Sequence, residues 1–223
     1  MNSKNIYLAK GLLFDLDGTL VNSLKDLACS ANATRLHFGL SPLPEEKMVT
    51  FIGQGMKNLV FQALNQNEKL LEEGIQFFRT HYEKHCLDHT RPYPGVPETL
   101  AFFHEKIPMA VVTNKPYSFS KKILDHFCLS PFFLTLVGGD TCDTKKPHPE
   151  PILMALKKMD LSPSPEIILV GDSEADILGA QNAHILSCAV TYGLRKKEYL
   201  EKFSPHLLIQ SFSELTQIIQ PEL

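Results

Sequence analysis

The sequence predicts an α/β fold: a doubly wound parallel sheet as the core, with an α-helical cap domain inserted into it. Three observations carry this expectation. Six short apolar runs recur without the apolar/polar alternation of a half-exposed strand, the pattern of strands covered on both faces. Amphipathic helical stretches separate most of these runs, and strand alternating with helix is the signature of a doubly wound sheet. One interval, from Gly11 to Met109, far exceeds the roughly 30 residues of a strand–helix–strand unit and must hold an insertion.

The runs, in order, are Gly11 to Phe14, Met109 to Val112, Thr135 to Val137, Ile167 to Val170, Ser187 to Val190 and the weaker Leu207 to Ile209. From the second onward their starts lie about 20 to 30 residues apart, the rhythm of a Rossmann-like core. Between Pro149 and Met159, Ile152, Leu153, Leu156 and Met159 fall on one helical stripe. Residues 22 to 92 contain no strand-like run. There, Ser23 and Asp26 read as a capping box before Leu24, Leu27, Ala28 and Ala31. Pro42 and Pro44 precede a helix running towards Leu64, and a third helix runs from about Glu68 to His85. The run Arg91-Pro92-Tyr93-Pro94-Gly95 cannot continue a helix. The expected organisation is a core from residues 1–20 and 93–223 and a helical cap from 21–92.

Composition bounds the function. Hydrophobic residues at 43% and charged residues at 21% are those of a globular chain, excluding disorder. A formal charge of -3 offers no cation excess for a phosphate backbone, so nucleic acid is not an expected partner. Five cysteines, the nearest pair being Cys128 and Cys142, spell neither a disulfide framework nor a Cys-x-x-Cys site. Reduced thiols, the absence of a membrane-length apolar run and a first apolar stretch broken by Lys10 and Asp15 predict a cytoplasmic protein without a secretory leader. Nothing in the sequence bears on oligomeric state.

In an open parallel sheet, ligands bind at the carboxyl ends of the strands. The first run ends in Asp15-Leu16-Asp17-Gly18-Thr19 and the second in Thr113-Asn114-Lys115; Lys146 precedes the strand that ends in Gly171-Asp172, with Asp176 just beyond. Crowded carboxylates at i and i+2 require a cation or a proton. Gly18 lets the backbone turn so that main-chain N–H groups can meet an anion. Adding Asp172 gives the all-oxygen ligand set that Mg²⁺ accepts, and Thr113 with Lys146 supplies donors to an oxyanion. The set suits phosphoryl transfer, where positioning and charge neutralisation supply most of the catalysis.

These residues, Asp15-x-Asp17-Gly18-Thr19, Thr113, Lys146 and Gly171-Asp172-x-x-x-Asp176, resemble the four-motif signature of the haloacid dehalogenase superfamily, and the helical insertion resembles the cap of its phosphatase branch. The resemblance implies Asp15 as nucleophile, forming an aspartyl-phosphate. It implies Asp17 as general acid and base whose backbone carbonyl also ligates Mg²⁺. Thr113 and Lys146 become phosphate-binding, Asp172 the acidic metal ligand, and Asp176 a support for Lys146 or a metal-bound water. Thr113-Asn114-Lys115, Gly138-Gly139-Asp140-Thr141 and Lys146-Pro147-His148-Pro149-Glu150-Pro151 resemble the phosphoglycolate phosphatases in particular, which implies a Mg²⁺-dependent hydrolase of a small phosphorylated metabolite. Glu174-Ala175 departs from the Arg-Asn pair common in that group. A phosphosugar mutase, a pyrophosphatase and a non-catalytic binding protein on the same fold stay open as alternatives.

In the cap, the loop containing Gly53, Gly55 and Lys57 is the expected holder of a substrate carboxylate, with Asn114 contributing from the core. His81, His85 and His89 fall at i, i+4 and i+8, yet the run lacks the His-Glu-x-x-His pattern and reads as a solvated cap face. The pairs Phe77-Phe78 and Phe102-Phe103 are expected in the core.

Overall fold

The computed structural model describes residues 6–222. Its strands are β1 (Tyr7–Ala9), β2 (Gly11–Phe14), β3 (Val21–Asn22), β4 (Arg91–Pro92), β5 (Met109–Val112), β6 (Thr135–Val137), β7 (Ile167–Gly171), β8 (Leu186–Val190), β9 (Leu207–Ile209) and β10 (Ile219–Pro221). Its helices are α1 (Leu24–His37), α2 (Glu45–Val49), α3 (Met56–Ala63), α4 (Glu68–His85), α5 (Val96–Phe103), α6 (Tyr117–His126), α7 (Glu150–Lys158), α8 (Glu174–Asn182), α9 (Lys197–Leu200) and α10 (Leu215–Ile218). The six expected runs form one parallel sheet in the order β6-β5-β2-β7-β8-β9. This is a doubly wound, Rossmann-like core.

The apolar runs lack alternation because both faces of the sheet are covered. Successive strand residues point to opposite faces. Leu12 and Phe14 of β2, with Val111 and Val170, therefore pack against Leu100, Phe103 and Ile123, whereas Leu13, with Ala110, Val112 and Leu169, packs against Ile152 and Leu156. Strand β2 is central, flanked by β5 and β7. The chain first builds outward through β5 and β6, then returns to the other side of β2 with β7, so the strand order reverses there. A crevice opens at such a switch point.

Between β2 and β5 lie the four cap helices, with a hydrophobic cluster of their own that includes Leu27, Met48, Leu59, Val60, Phe78 and Tyr82. Phe119 of α6 joins this cluster from the core. Strands β3 and β4 form an antiparallel ribbon at the base of the cap, pairing Val21 with Pro92 and Asn22 with Arg91. Among the described residues no helix is long and apolar enough to cross a membrane.

Three local expectations are corrected. Ser23 stands at the N-cap of α1 but makes no side-chain cap hydrogen bond. Its hydroxyl donates to Asp17 Oδ1 at 2.5 Å, while Asp26 accepts from the backbone N–H groups of His89 and Thr90 and from the Thr90 hydroxyl, tying α1 to the returning strand of the ribbon. The helix expected to run towards Leu64 is split into α2 and α3 around Gly53 and Gly55, whose φ angles of +108° and +88° are left-handed. Each phenylalanine pair contributes one core residue: Phe78 and Phe103 are buried, whereas Phe77 stacks on His37 and Phe102 lies exposed beneath the Lys106 ammonium. Neighbours on a helix point about 100° apart, and here that offset turns Phe77 and Phe102 out of the buried faces that Phe78 and Phe103 occupy.

Candidate active site

Asp15 lies one residue beyond β2, and its N–H donates to the Val170 carbonyl at 2.9 Å, which holds it in register at the sheet edge. The chain then turns tightly, the Leu16 carbonyl accepting from both Leu20 and Val21 at 3.0 Å. Gly18 has φ +83°, and a Cβ there would lie 2.1 Å from Asp172 Oδ2. Only glycine permits both the turn and this approach. The turn brings β2's acidic end against that of β7.

Lys146 is buried, and its ammonium contacts Asp176 Oδ1 at 2.6 Å, Asp15 Oδ1 at 3.1 Å and the Val112 carbonyl. Asp176 is held in turn by a capping box at the start of α8, its Oδ2 accepting from Ser173 N at 3.1 Å and Ser173 Oγ at 2.6 Å. Asp172 Oδ2 accepts from Leu194 N at 2.6 Å. Thr113 is buried at the end of β5, and its Oγ1 accepts from Lys115 N at 3.2 Å.

The carboxylates Asp15, Asp172 and Asp176 offer oxygens within 4.8 Å of one another. Burial, opposed by Lys146 and reinforced by the Asp176 and Asp17 charges, pushes the Asp15 carboxyl up to about 6. Burial and then the charges of Asp15 and Asp176 hold Asp172 well above the usual carboxylate range. Burial alone would lower Lys146, but Asp15 and Asp176 outweigh it and raise it. Four carboxylates, counting Asp17, face two ammonium groups, Lys146 and Lys115, leaving two negative charges unmatched. Asp15 Oδ1 is buried, and its contact with Lys146 is too poorly directed to be a hydrogen bond. With both Asp176 oxygens committed to Lys146 and Ser173, the donors turned to a cation are Asp15 and Asp172. Hard oxygen ligands, a charge deficit of two and an orphaned carboxylate oxygen fit a divalent ion such as Mg²⁺.

A cavity of about 40 Å³ between core and cap is lined by Asp15, Asp17, Thr113, Asn114 and Lys115 from the core and by Gly53 and Gly55 from the cap. Apart from Tyr82, its remaining wall, including Leu27, Met56, Leu59, Phe78 and Phe119, is apolar. Asn114 ties the two parts together: its Nδ2 donates to the carbonyls of Gly53 and Lys146, and its Oδ1 accepts from Lys146 N, all at 2.9 Å. That leaves its amide a positioning group rather than a free ligand donor. Lys57 is not brought to this cavity. It is exposed on α3 and lines a separate outer groove with Gln54 and Lys145, because Met56 and Leu59 take the inward face of the helix.

Two contributors escaped the sequence reading. Lys115 Nζ lies 3.0 Å from both oxygens of Asp17 and 2.7 Å from the Tyr82 hydroxyl on α4. Arg195, beyond β8, donates to the cap carbonyls of Val49 at 2.6 Å and Ile52 at 2.7 Å. Lys115 stood inside the run Thr113-Asn114-Lys115, where its sign and its place after a strand end were the available signal. Nothing local marked Arg195. The three cap histidines take separate partners: His81 contacts Ser30, His85 contacts Asp88, and His89 contacts Asp26.

Residues 12–190 match the family of haloacid dehalogenase-like hydrolases. The chain belongs to that family. It is 36% identical over 227 residues to a phosphoglycolate phosphatase from Chromobacterium violaceum, covering 99% of both chains. With the phosphoglycolate phosphatase from Aquifex aeolicus it shares 36% identity over 209 residues, 93% of this chain and 95% of that protein. A crystal structure of a predicted phosphoglycolate phosphatase from Haemophilus somnus superposes with a TM-score of 0.88 at 33% identity, covering 94% of this chain and 97% of the other.

Proposed function

We propose that this hydrolase is a Mg²⁺-dependent, cytoplasmic phosphatase of a small phosphomonoester, 2-phosphoglycolate, working through a phosphoenzyme on Asp15. The observation that carries the reading is the Asp15 carboxylate itself: buried at the switch point, open to the cavity, and with its Oδ1 beside the Lys146 ammonium yet accepting no hydrogen bond. Relatives of the same length that bear the phosphoglycolate phosphatase name support the substrate, and free thiols at all five cysteines suit a reducing compartment.

In this reading an Asp15 oxygen attacks phosphorus, and the bond from phosphorus to the ester oxygen breaks. Asp17 gives its proton to the departing glycolate oxygen, then takes a proton from the water that attacks the phosphoenzyme, which releases phosphate and restores Asp15. Lys146 and Thr113 hold the phosphoryl oxygens, and Asp176 fixes Lys146. Asp15, Asp172 and the Asp17 carbonyl would hold Mg²⁺, which would supply charge neutralisation for the transferring group. The apolar cap wall, with Leu27, Leu59, Phe78 and Phe119, favours a small ester over the hydroxyl-rich substrate of a phosphosugar mutase. A pyrophosphatase would need more cations around the second phosphate than Lys115 supplies.

The test is phosphate release from a panel of phosphoesters with Mg²⁺ or with EDTA, together with rapid-quench trapping of the phosphoenzyme. Turnover of 2-phosphoglycolate should require Mg²⁺, and Asp15→Asn should abolish both turnover and trapped label. Turnover that survived Asp15→Asn, or was indifferent to EDTA, would refute the assignment.

A further inference from the structure

Lys115 is the residue that the fold explains least. A buried ammonium is costly unless it is paired; this one, 3% exposed in its side chain, is paired with both oxygens of Asp17, a carboxylate that is 13% exposed and shared with Ser23. The fold nevertheless fixes it firmly. Its carbonyl accepts from Gly139 N at 2.8 Å and its N–H is held by Thr113, so the side chain is projected into the cavity from the end of β5. Among the described residues lining that cavity, Lys115 is the one cation.

Its second partner comes from the cap. Tyr82 on α4 accepts a hydrogen bond from Lys115 through its hydroxyl oxygen, and the ammonium lies 4.6 Å from the ring centroid. The hydroxyl keeps its own hydrogen, which no acceptor among the described residues takes. Burial raises this phenol well above its ordinary range, so it stays a neutral donor. An ammonium and an O–H donor therefore stand side by side in the wall of the cavity that Asp15 and Asp17 also line. An anionic oxygen pair is the complement of such a site and can compete with Asp17 for the ammonium, whereas an alkyl or amide group offers it no countercharge.

We infer that Lys115 and the Tyr82 hydroxyl form the receptor for the substrate's non-reacting carboxylate, so that selectivity for carboxylate-bearing esters is set by a core lysine and a cap tyrosine rather than by Lys57. The inference rests on the phosphatase reading above. Binding the carboxylate draws the ammonium from Asp17 and leaves the Asp17 oxygens free to face the ester oxygen. Because one donor comes from the core and the other from the cap, a carboxylate also bridges the two parts and favours closure.

The experiment compares kcat/KM for 2-phosphoglycolate and for its neutral isostere, 2-phosphoglycolamide, with Mg²⁺ present, alongside calorimetric binding of glycolate. Replacing a charge-assisted contact should reduce the preference for the carboxylate about ten- to a hundredfold in Lys115→Met, and glycolate affinity should fall in parallel. Tyr82→Phe, which keeps the packing, should lose several-fold on both readouts, and it carries the test should Lys115→Met not fold. Lys57→Ala should change neither. An unaltered preference and unaltered glycolate binding in both Lys115→Met and Tyr82→Phe would overturn the receptor, as would loss of the preference in Lys57→Ala. Glycolate binding that depends on Lys115 in a wild-type enzyme unable to hydrolyse 2-phosphoglycolate would sustain the receptor while refuting the proposed substrate.

Discussion

Gly18→Ala is the most direct probe of how the two acidic strand ends are packed. The new Cβ would lie 2.1 Å from Asp172 Oδ2 and 2.5 Å from its Cγ. Restoring ordinary contact requires about 1 Å of movement, and a misplacement of that size at a catalytic group costs roughly a hundredfold in rate. Asp172 cannot simply step back: its Oδ2 is anchored on Leu194 N at 2.6 Å, and Gly193 lies so close that a Cβ there would meet the Asp172 Cβ at 2.4 Å. The alanine must also adopt φ near +83°, a left-handed conformation costing about 1–2 kcal/mol. The expected variant is folded, with a modestly lower melting temperature, a kcat reduced by about two orders of magnitude and a raised Mg²⁺ half-saturation. Phosphate release across a Mg²⁺ titration, with thermal unfolding of the same samples, reads all three. A variant within twofold of wild type in both kcat and Mg²⁺ requirement would refute the claim that the Gly18 turn positions Asp172.

Other perturbations test neighbouring parts of the argument. Lys146→Met should abolish turnover and destabilise the fold by about 3–5 kcal/mol, because it strands Asp15 and Asp176 without their buried partner; adding Asp176→Leu should recover much of the melting temperature and none of the activity. Asp26 is held below the usual carboxylate range because, although burial raises it, the hydrogen bonds from Thr90 and His89 together outweigh that cost. Its contribution to stability is therefore present above the ordinary aspartate value near 3.8 and lost as pH falls through the lower folded-state value. Asp26→Asn should lose about 1.5–3 kcal/mol at pH 7 and flatten that acid limb in thermal scans, whereas an unchanged limb would remove Asp26 as its source. Arg195→Ala should raise KM for charged and neutral phosphoesters alike, by about a hundredfold if two lost charge-assisted bonds of about 1.5 kcal/mol each are felt in full, because Arg195 holds the cap loop; a changed ratio between the two would contradict that.

The legibility of this molecule in its sequence follows the range of the forces that build it. The six strands of the central sheet were readable because burial on both faces leaves no polar position in β2, β5 or β7, a property written locally in each run. The gathering of Asp15, Thr113 and Asp172 at one sheet edge was readable for the same reason, since each follows such a run directly, with Asp17 two residues beyond Asp15, and the switch-point rule does the rest. The short pairs β1–β10 and β3–β4 were not, being two or three residues long and held by partners far along the chain rather than by pattern. Ser23 and Asp26 had the right spacing for a capping box, but Asp17 on one side and His89 with Thr90 on the other outcompeted the helix end for their side chains.

The cap loop marks the sharpest boundary. Which cation faces the chemistry depends on how α3 and α4 are rotated over the sheet, and that rotation is set by contacts between distant residues: Asn114 to Gly53, Arg195 to Val49 and Ile52, Tyr82 to Lys115. None of these leaves a periodic or spaced trace. A lysine in a glycine-bearing cap loop and a lysine after a strand end look equally available in one dimension, and only the helix phase of Met56 and Leu59 turns Lys57 outward. The gathering of acidic strand ends is therefore legible from the strands alone, whereas the groups that the cap brings to them become legible only once the orientation of cap and core is known.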